Sequence, residues 1–179
     1  MKLNPLASNR CSGMMIAYGI NRLVYFYMDM TGEYQIAASR DDVWAALNDA
    51  EVLKACIPGC QELEKTSDTE MNAKVVLKIG PVKAKFKGDV ELVNIDAPAS
   101  YTIQGEGAGG IAGFAKGHAD VVLTEDGDGT ILSYTAHANV GGKIAQLGSR
   151  LIDSTAKKLA NKFFDNFHNY LSDEDPEVE

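Results

Sequence analysis

The sequence predicts an α+β fold in which an antiparallel sheet curves around one long C-terminal helix. Three observations carry this. Between residues 141 and 171, Ile144, Leu147, Leu151, Leu159, Phe163, Phe167 and Leu171 recur at helical spacing, with Ile152, Ala156, Ala160 and Phe164 beside them. Across residues 82–92, Val82, Ala84, Phe86, Gly88, Val90 and Leu92 face one way while Lys83, Lys85, Lys87, Asp89 and Glu91 face the other. That period of two marks a sheet with one side on a core and the other in water. Most of the chain ahead of the helix reads as strand in the same way. A helix with so wide an apolar face, placed after antiparallel strands, needs a sheet bent around it, and such a grip tends to leave a cavity.

In chain order, residues 33–38 form the first strand. Ser39 then N-caps a helix, with Asp41 and Asp42 in the first turn where the dipole favours anions, and with Val43, Trp44 and Leu47 on the apolar side. Trp44 is expected in the core against the sheet. A second short helix over residues 50–55 ends at Cys56-Ile-Pro-Gly-Cys60, where proline and glycine force a turn. Strands follow over residues 61–65, 71–79, 82–92, 101–105, 118–125 and 130–140. They are separated by Ser67-Asp68, Gly80-Pro81, Ala97-Pro98 and Asp126-Gly-Asp-Gly129, with the glycine-dense passage 105–117 read as a wide bend. Seven strands and three helices result, in one domain over residues 30–171. Residues 1–29 read as an extension, for which three explanations stand: a misassigned start, an added strand or helix on the core, or an arm that touches the membrane. The strand composition of residues 22–28 keeps the second in play. Residues 172–179 form an acidic tail, expected to be disordered.

Composition narrows the function. The chain has 179 residues, enough for one domain with a sizeable core. Its formal net charge of −8 argues against a nucleic-acid surface, which needs clustered Lys and Arg. Three cysteines without a secretory context predict reduced thiols and a cytoplasmic protein. The most apolar segment, residues 13–28, is broken by Asn21 and Arg22 and falls short of the ~20 apolar residues of a membrane span. No transmembrane anchor is therefore expected.

No motif points firmly to chemistry. Gly105-x-Gly107-x-x-Gly110 has the spacing of a phosphate loop, but a strand follows it rather than a helix N-terminus. Ile111 and Phe114, apolar residues on that bend, are expected to cap a cavity mouth. Cys56 and Cys60 lack the further ligands that zinc needs, so a structural turn or a regulatory thiol pair remains. Strand alternation puts His137 outside, His118 at a rim and His168 at the polar edge of the last helix. No inward titratable pair suited to acid–base work emerges, so no catalytic or metal-binding residue and no cofactor is assigned. The lysines at 83, 85 and 87 are a solvated face or, alternatively, a docking patch for an acidic partner or anionic lipid.

Taken together, Gly32-Glu-Tyr-x-Ile36, Val43-Trp-x-x-Leu47, Cys56-Ile-Pro-Gly-Cys60, Gly80-Pro-Val82 with Phe86-x-Gly88, Tyr101-x-Ile-x-Gly105 with Gly113 and Gly117, and Val140-Gly-Gly-Lys-x-Ala-Gln-Leu-Gly148 resemble the CoxG family of carbon monoxide dehydrogenase subunits, within the START-like, birch-pollen-allergen-like helix-grip (SRPBCC) superfamily. The resemblance covers about residues 31–167. It implies a seven-stranded sheet gripping the C-terminal helix over an apolar pocket. It also implies an accessory role beside molybdenum-hydroxylase subunits, through membrane recruitment or binding of a lipid or quinone, and so a protein that contacts the inner face of the membrane peripherally, without a transmembrane anchor. Some members carry a C-terminal membrane-anchoring helix, whereas this chain is expected to lack stable attachment.

The leading expectation is a non-catalytic accessory protein holding a quinone- or lipid-like molecule. Phe86, Val90, Tyr101, Ile103, Ile111, Phe114, Tyr134, Leu147, Leu151 and Phe164 are the candidate ligand-binding residues, with Tyr101 and Tyr134 offering hydroxyls to a carbonyl. Burying about 400 Å² of apolar ligand at roughly 25 cal/mol per Å² gives on the order of 10 kcal/mol before association costs, consistent with micromolar-class binding. The alternatives are a START-like cyclase or dehydratase acting on an apolar substrate, and a docking or maturation protein without ligand.

Overall fold

The computed structural model describes residues 10–17 and 24–173. The elements run β1 (Arg10–Ala17), β2 (Val24–Ile36), α1 (Arg40–Leu47), α2 (Ala50–Cys56), β3 (Cys60–Lys65), β4 (Glu70–Ile79), β5 (Val82–Asp96), β6 (Ser100–Ala108), β7 (Phe114–Asp126), β8 (Gly129–Gly141) and α3 (Ser149–Asp173). Short 3-10 turns lie at Gly110–Ala112 and Ala145–Leu147.

All pairings are antiparallel. The seven expected strands are present, in the order β2-β8-β7-β6-β5-β4-β3, and α3 lies along the inner face of their curve. An eighth strand, β1, comes from the N-terminal extension and pairs along β2 at the sheet edge. β2 begins at Val24, so residues 24–29 belong to the sheet and not to a separate arm. The tail over residues 174–179 lies outside the described residues.

Local chemistry explains the helices. Ser39 accepts a hydrogen bond from the Asp42 amide at 3.2 Å, and Asp49 caps α2 by accepting from the Glu51 and Val52 amides. The last helix starts later than the apolar spacing predicts. Gly142 and Gly148 hold φ of +85° and +89°, outside the helical region, so residues 142–148 form a tight connection and α3 opens at Ser149.

Two buried clusters fix α3 on the sheet. One, towards the α1–α2 end, contains Tyr34, Val43, Leu47, Leu123, Leu132 and Phe167. The other, towards the β4–β5 turn, contains Phe26, Ala112, Val140, Ile144, Ala145 and Ile152. Between the two, helix and sheet do not close completely.

Candidate functional site

The gap between α3 and the sheet follows from missing side chains. On the inner face, Ala73, Gly88, Gly107 and Ala115 are successive cross-strand partners from β4 to β7. The next row carries Gly105, Gly117 and Ala138 on β6, β7 and β8, and the row after that Ile103, Ala119 and Ala136. Layers of a packed fold stand about 10 Å apart, a space that large side chains normally fill. Here glycine and alanine leave it empty in the middle of the sheet.

Two apolar cavities occupy this space. The lower, about 380 Å³, is lined by Met71, Leu92, Tyr101, Ile103, Tyr134 and Phe164 among others. The upper, about 490 Å³, lies beneath Ile79, Phe86, Val140, Ile144, Ile152 and Leu159. They share Ile57, Ala73 and Val90, so they meet end to end beneath α3. Each falls in the range of about 300–1,000 Å³ typical of small-molecule sites.

The lower cavity is walled by aromatic stacking. Tyr34 lies face to face with Phe164 at 3.8 Å between ring centroids, and Tyr134 lies near-parallel beside both, 6.1 Å from Phe164 and 6.4 Å from Tyr34. The Tyr34 hydroxyl donates to Asn161 Oδ1 at 2.8 Å, tying the sheet to α3. Tyr101 is 5% exposed, with Trp44 edge-on at 5.3 Å. Burial raises the pKa of the Tyr101 phenol well above its ordinary value, so it stays protonated. Among the described residues, no Asp, Glu, His or Lys lines the lower cavity. The upper one is touched by Asp89, Glu106 and Lys116, whose strand positions face outward.

Of the ten candidate residues, Val90, Tyr101, Ile103, Tyr134 and Phe164 line the lower cavity and Phe86 the upper. Four are placed elsewhere. Ile111 projects into solvent at 87% exposure, and Leu147 sits on the 3-10 turn before α3. Leu151 packs against the β4–β5 turn, where any side chain on Gly80 would strike it. Phe114 is on the outer face, edge-on to Tyr25 at 6.1 Å and covering Gly141. The expected cavity mouth at Ile111 and Phe114 is therefore displaced. The bend spans only residues 109–113, so Phe114 already belongs to β7 and strand alternation turns it outward.

The feature missed in sequence is the glycine stripe itself. Gly105-x-Gly107 and Ala115-x-Gly117-x-Ala119 alternate with period two, which was the available signal. Gly117 allows a close backbone approach, because a Cβ there would stand 2.1 Å from the His137 carbonyl oxygen and force that strand to shift. At Gly107 the nearest atom would be 3.6 Å away, an ordinary contact.

The remaining reactive groups lie apart from the cavities. His137 faces outward, with Nδ1 2.6 Å from Asp29 Oδ1. His118 lies beside it on β7, 5.1 Å between ring centroids and within the strand rather than at its start. Cys56 is buried and its carbonyl accepts from Asn166 Nδ2 at 2.9 Å, which makes the cysteine segment a structural link to α3. Burial raises the thiol pKa of both Cys56 and Cys60; for Cys60 the Lys54 charge offsets part of the rise. Among the described residues no cluster of three or more His, Cys, Asp or Glu stands ready to hold a metal ion, and no helix is long and apolar enough to cross a membrane.

Known proteins share both this sequence pattern and this geometry. The sequence model of the CoxG family, described as a carbon monoxide dehydrogenase subunit, matches residues 32–172. The crystal structure of a conserved protein from Geobacillus kaustophilus is similar at 31% identity and TM-score 0.76, over 81% of this chain and 95% of that one. A START superfamily protein from Mycobacterium smegmatis shares the fold at 12% identity and TM-score 0.64, over 81% and 97% of the two chains. So does the Zhui aromatase/cyclase from a Streptomyces species, at 9% identity and TM-score 0.63, over 85% and 98%. No curated protein matches the sequence.

Proposed function

The chain belongs to the CoxG family of carbon monoxide dehydrogenase subunits, and from that premise we propose a non-catalytic accessory protein that carries an elongated apolar molecule, of the quinone or lipid class, for a molybdenum-type dehydrogenase at the membrane. The observation that carries this reading is the glycine–alanine stripe beneath α3 and the two apolar cavities it leaves, joined at Ile57, Ala73 and Val90. A core evolved only for stability would fill that space, because each unfilled cavity forfeits dispersion contacts and burial. An end-to-end pair of cavities suits a guest that is longer than it is wide. Tyr101 and Tyr134, in an otherwise carbon-lined lower cavity, suit a guest with a carbonyl at one end.

A cyclase or dehydratase reading is less well supported. General acid–base work needs a titratable group near the reacting atoms, and among the described residues tyrosines are the only titratable side chains on the lower wall. A partner-docking role without ligand would leave the paired cavities unexplained.

Native mass spectrometry after mild purification, followed by organic extraction, tests the proposal. A co-purifying hydrophobic molecule of the quinone or lipid class is the expected result. An empty protein that captures dehydrogenase subunits but takes up neither quinone nor lipid in vitro would favour the docking role instead.

A further inference from the structure

The protein carries a net charge of −8, yet five of its cations lie together at one end of the grip. The β4–β5 turn, the 109–113 bend and the connection from β8 to α3 all lie at that end. The Ile144 amide donates to the Ala112 carbonyl at 2.9 Å, and Leu151 packs on Gly80, so these segments form one surface. It exposes Lys78, Lys83, Lys85, Lys143 and Arg150. The opposite end is acidic, with Asp41 and Asp42 on α1 and Asp68, Asp96, Asp126 and Asp128 at or beside its turns.

Stability does not account for this arrangement. Lys78 and Lys83 are direct cross-strand partners, as are Lys74 and Lys87, and like charges so placed repel. Lys74 has Glu62 as a partner, but among the described residues no carboxylate lies within ion-pair distance of Lys78, Lys83 or Lys85. Arg150 sits in the first turn of α3, where the helix dipole disfavours a cation. Ile111, between glycines at the tip of the bend, is 87% exposed at the same end. The upper cavity also ends there, beneath Ile79 and Ile144.

We propose that this basic end docks on the surface of an anionic lipid bilayer, with Ile111 entering the headgroup region and the upper cavity turned towards the lipid. The proposal deepens the carrier reading, since it names the surface through which a membrane-soluble guest would be exchanged. Diffuse lysine charge spread over several segments suits a fluid sheet of headgroups better than a protein face, where fixed bidentate arginine pairs would be expected. An exposed apolar side chain at the same end as these lysines fits the boundary between headgroups and acyl chains.

Co-sedimentation with vesicles tests this, using phosphatidylcholine alone and an equal mixture of phosphatidylcholine and phosphatidylglycerol. The wild-type chain should bind the mixed vesicles, bind the neutral ones far less, and lose affinity as salt rises. Each cation removed from such a surface is worth about fivefold in binding, so Lys83→Glu with Lys85→Glu should lose at least ~25-fold. Ile111→Asp should also weaken binding, while Lys162→Glu, an exposed position far along α3, should not. All these positions are exposed, so thermal melts should show folded variants. Equal binding to both vesicles, no binding, or losses no larger than that of Lys162→Glu would overturn the proposal, as would capture by an acidic dehydrogenase face in place of vesicles. Uptake of an apolar dye without vesicles separates the two readings. The lysine variant should keep it, and a wild-type chain that takes up no dye would sink the carrier role while leaving the vesicle result standing.

Discussion

Gly105 and Gly117 stand opposite one another on β6 and β7, beneath α3, where a sheet of this kind would ordinarily present a pair of large apolar side chains. Their absence, with that of side chains at Gly88 and Gly107 beside them, sets the depth of the cavities.

Gly107→Val should fill the upper cavity without disturbing the sheet, since its first carbon meets nothing nearer than 3.6 Å. A branched residue suits a strand and lowers the entropy of the unfolded chain, so stability should hold or rise by about 0.4–1 kcal/mol. Binding of an apolar probe should fall at least tenfold. Gly117→Ala should behave in the opposite way, costing roughly 1–3 kcal/mol because a backbone carbonyl must give way. Thermal melts and probe titrations on both variants check the pair.

Tyr34→Phe removes the bond to Asn161 and leaves the ring stack on Phe164 intact. A loss of about 0.5–1.5 kcal/mol is expected. Phe164→Ala, which takes away the stack itself, should cost about 3–5 kcal/mol. Urea denaturation distinguishes the two magnitudes.

Phe114→Asp should leave probe binding unchanged, because the side chain lies on the outer face over Gly141. A large drop in uptake would put the entrance back at the bend.

Alkaline pH should destabilise the fold. Burial raises the pKa of the Cys56 and Cys60 thiols above the ordinary 9.0 and that of the Tyr101 phenol above 10.0. The unfolded chain therefore releases these protons first, and its relative stability grows as it does so. Stability from these groups is complete below about pH 9 and declines as pH climbs through the ordinary values towards the raised ones. Tyr101→Phe should shallow the decline above about pH 10, read from melting temperature against pH.

Much of the architecture was legible in the chain. Residues 82–92 announced their faces by strict alternation, and Ser39 with Asp42 marked the start of α1 by its cap. The cavity was harder to see, for a physical reason. Glycines signal a bend because they free the backbone, and the same residues in an extended strand signal missing volume. Only the pairing of Gly107 with Gly88 and Ala115 separates the two meanings, and pairing is a tertiary fact. Phe114 was misplaced by the same confusion, since the bend expected over residues 105–117 is closed by residues 109–113 alone.

The central claim is that an oily guest sits between α3 and the sheet. Trp44, the only tryptophan, lies 5.3 Å from Tyr101 on the cavity wall. Titration with a short-chain quinone analogue, read by quenching of that indole, therefore reports occupancy directly. The account predicts saturable quenching in the wild-type chain and its loss in Ala119→Leu, which fills the lower cavity beside Tyr101. Quenching that never saturates, or that is identical in the two proteins, would contradict it.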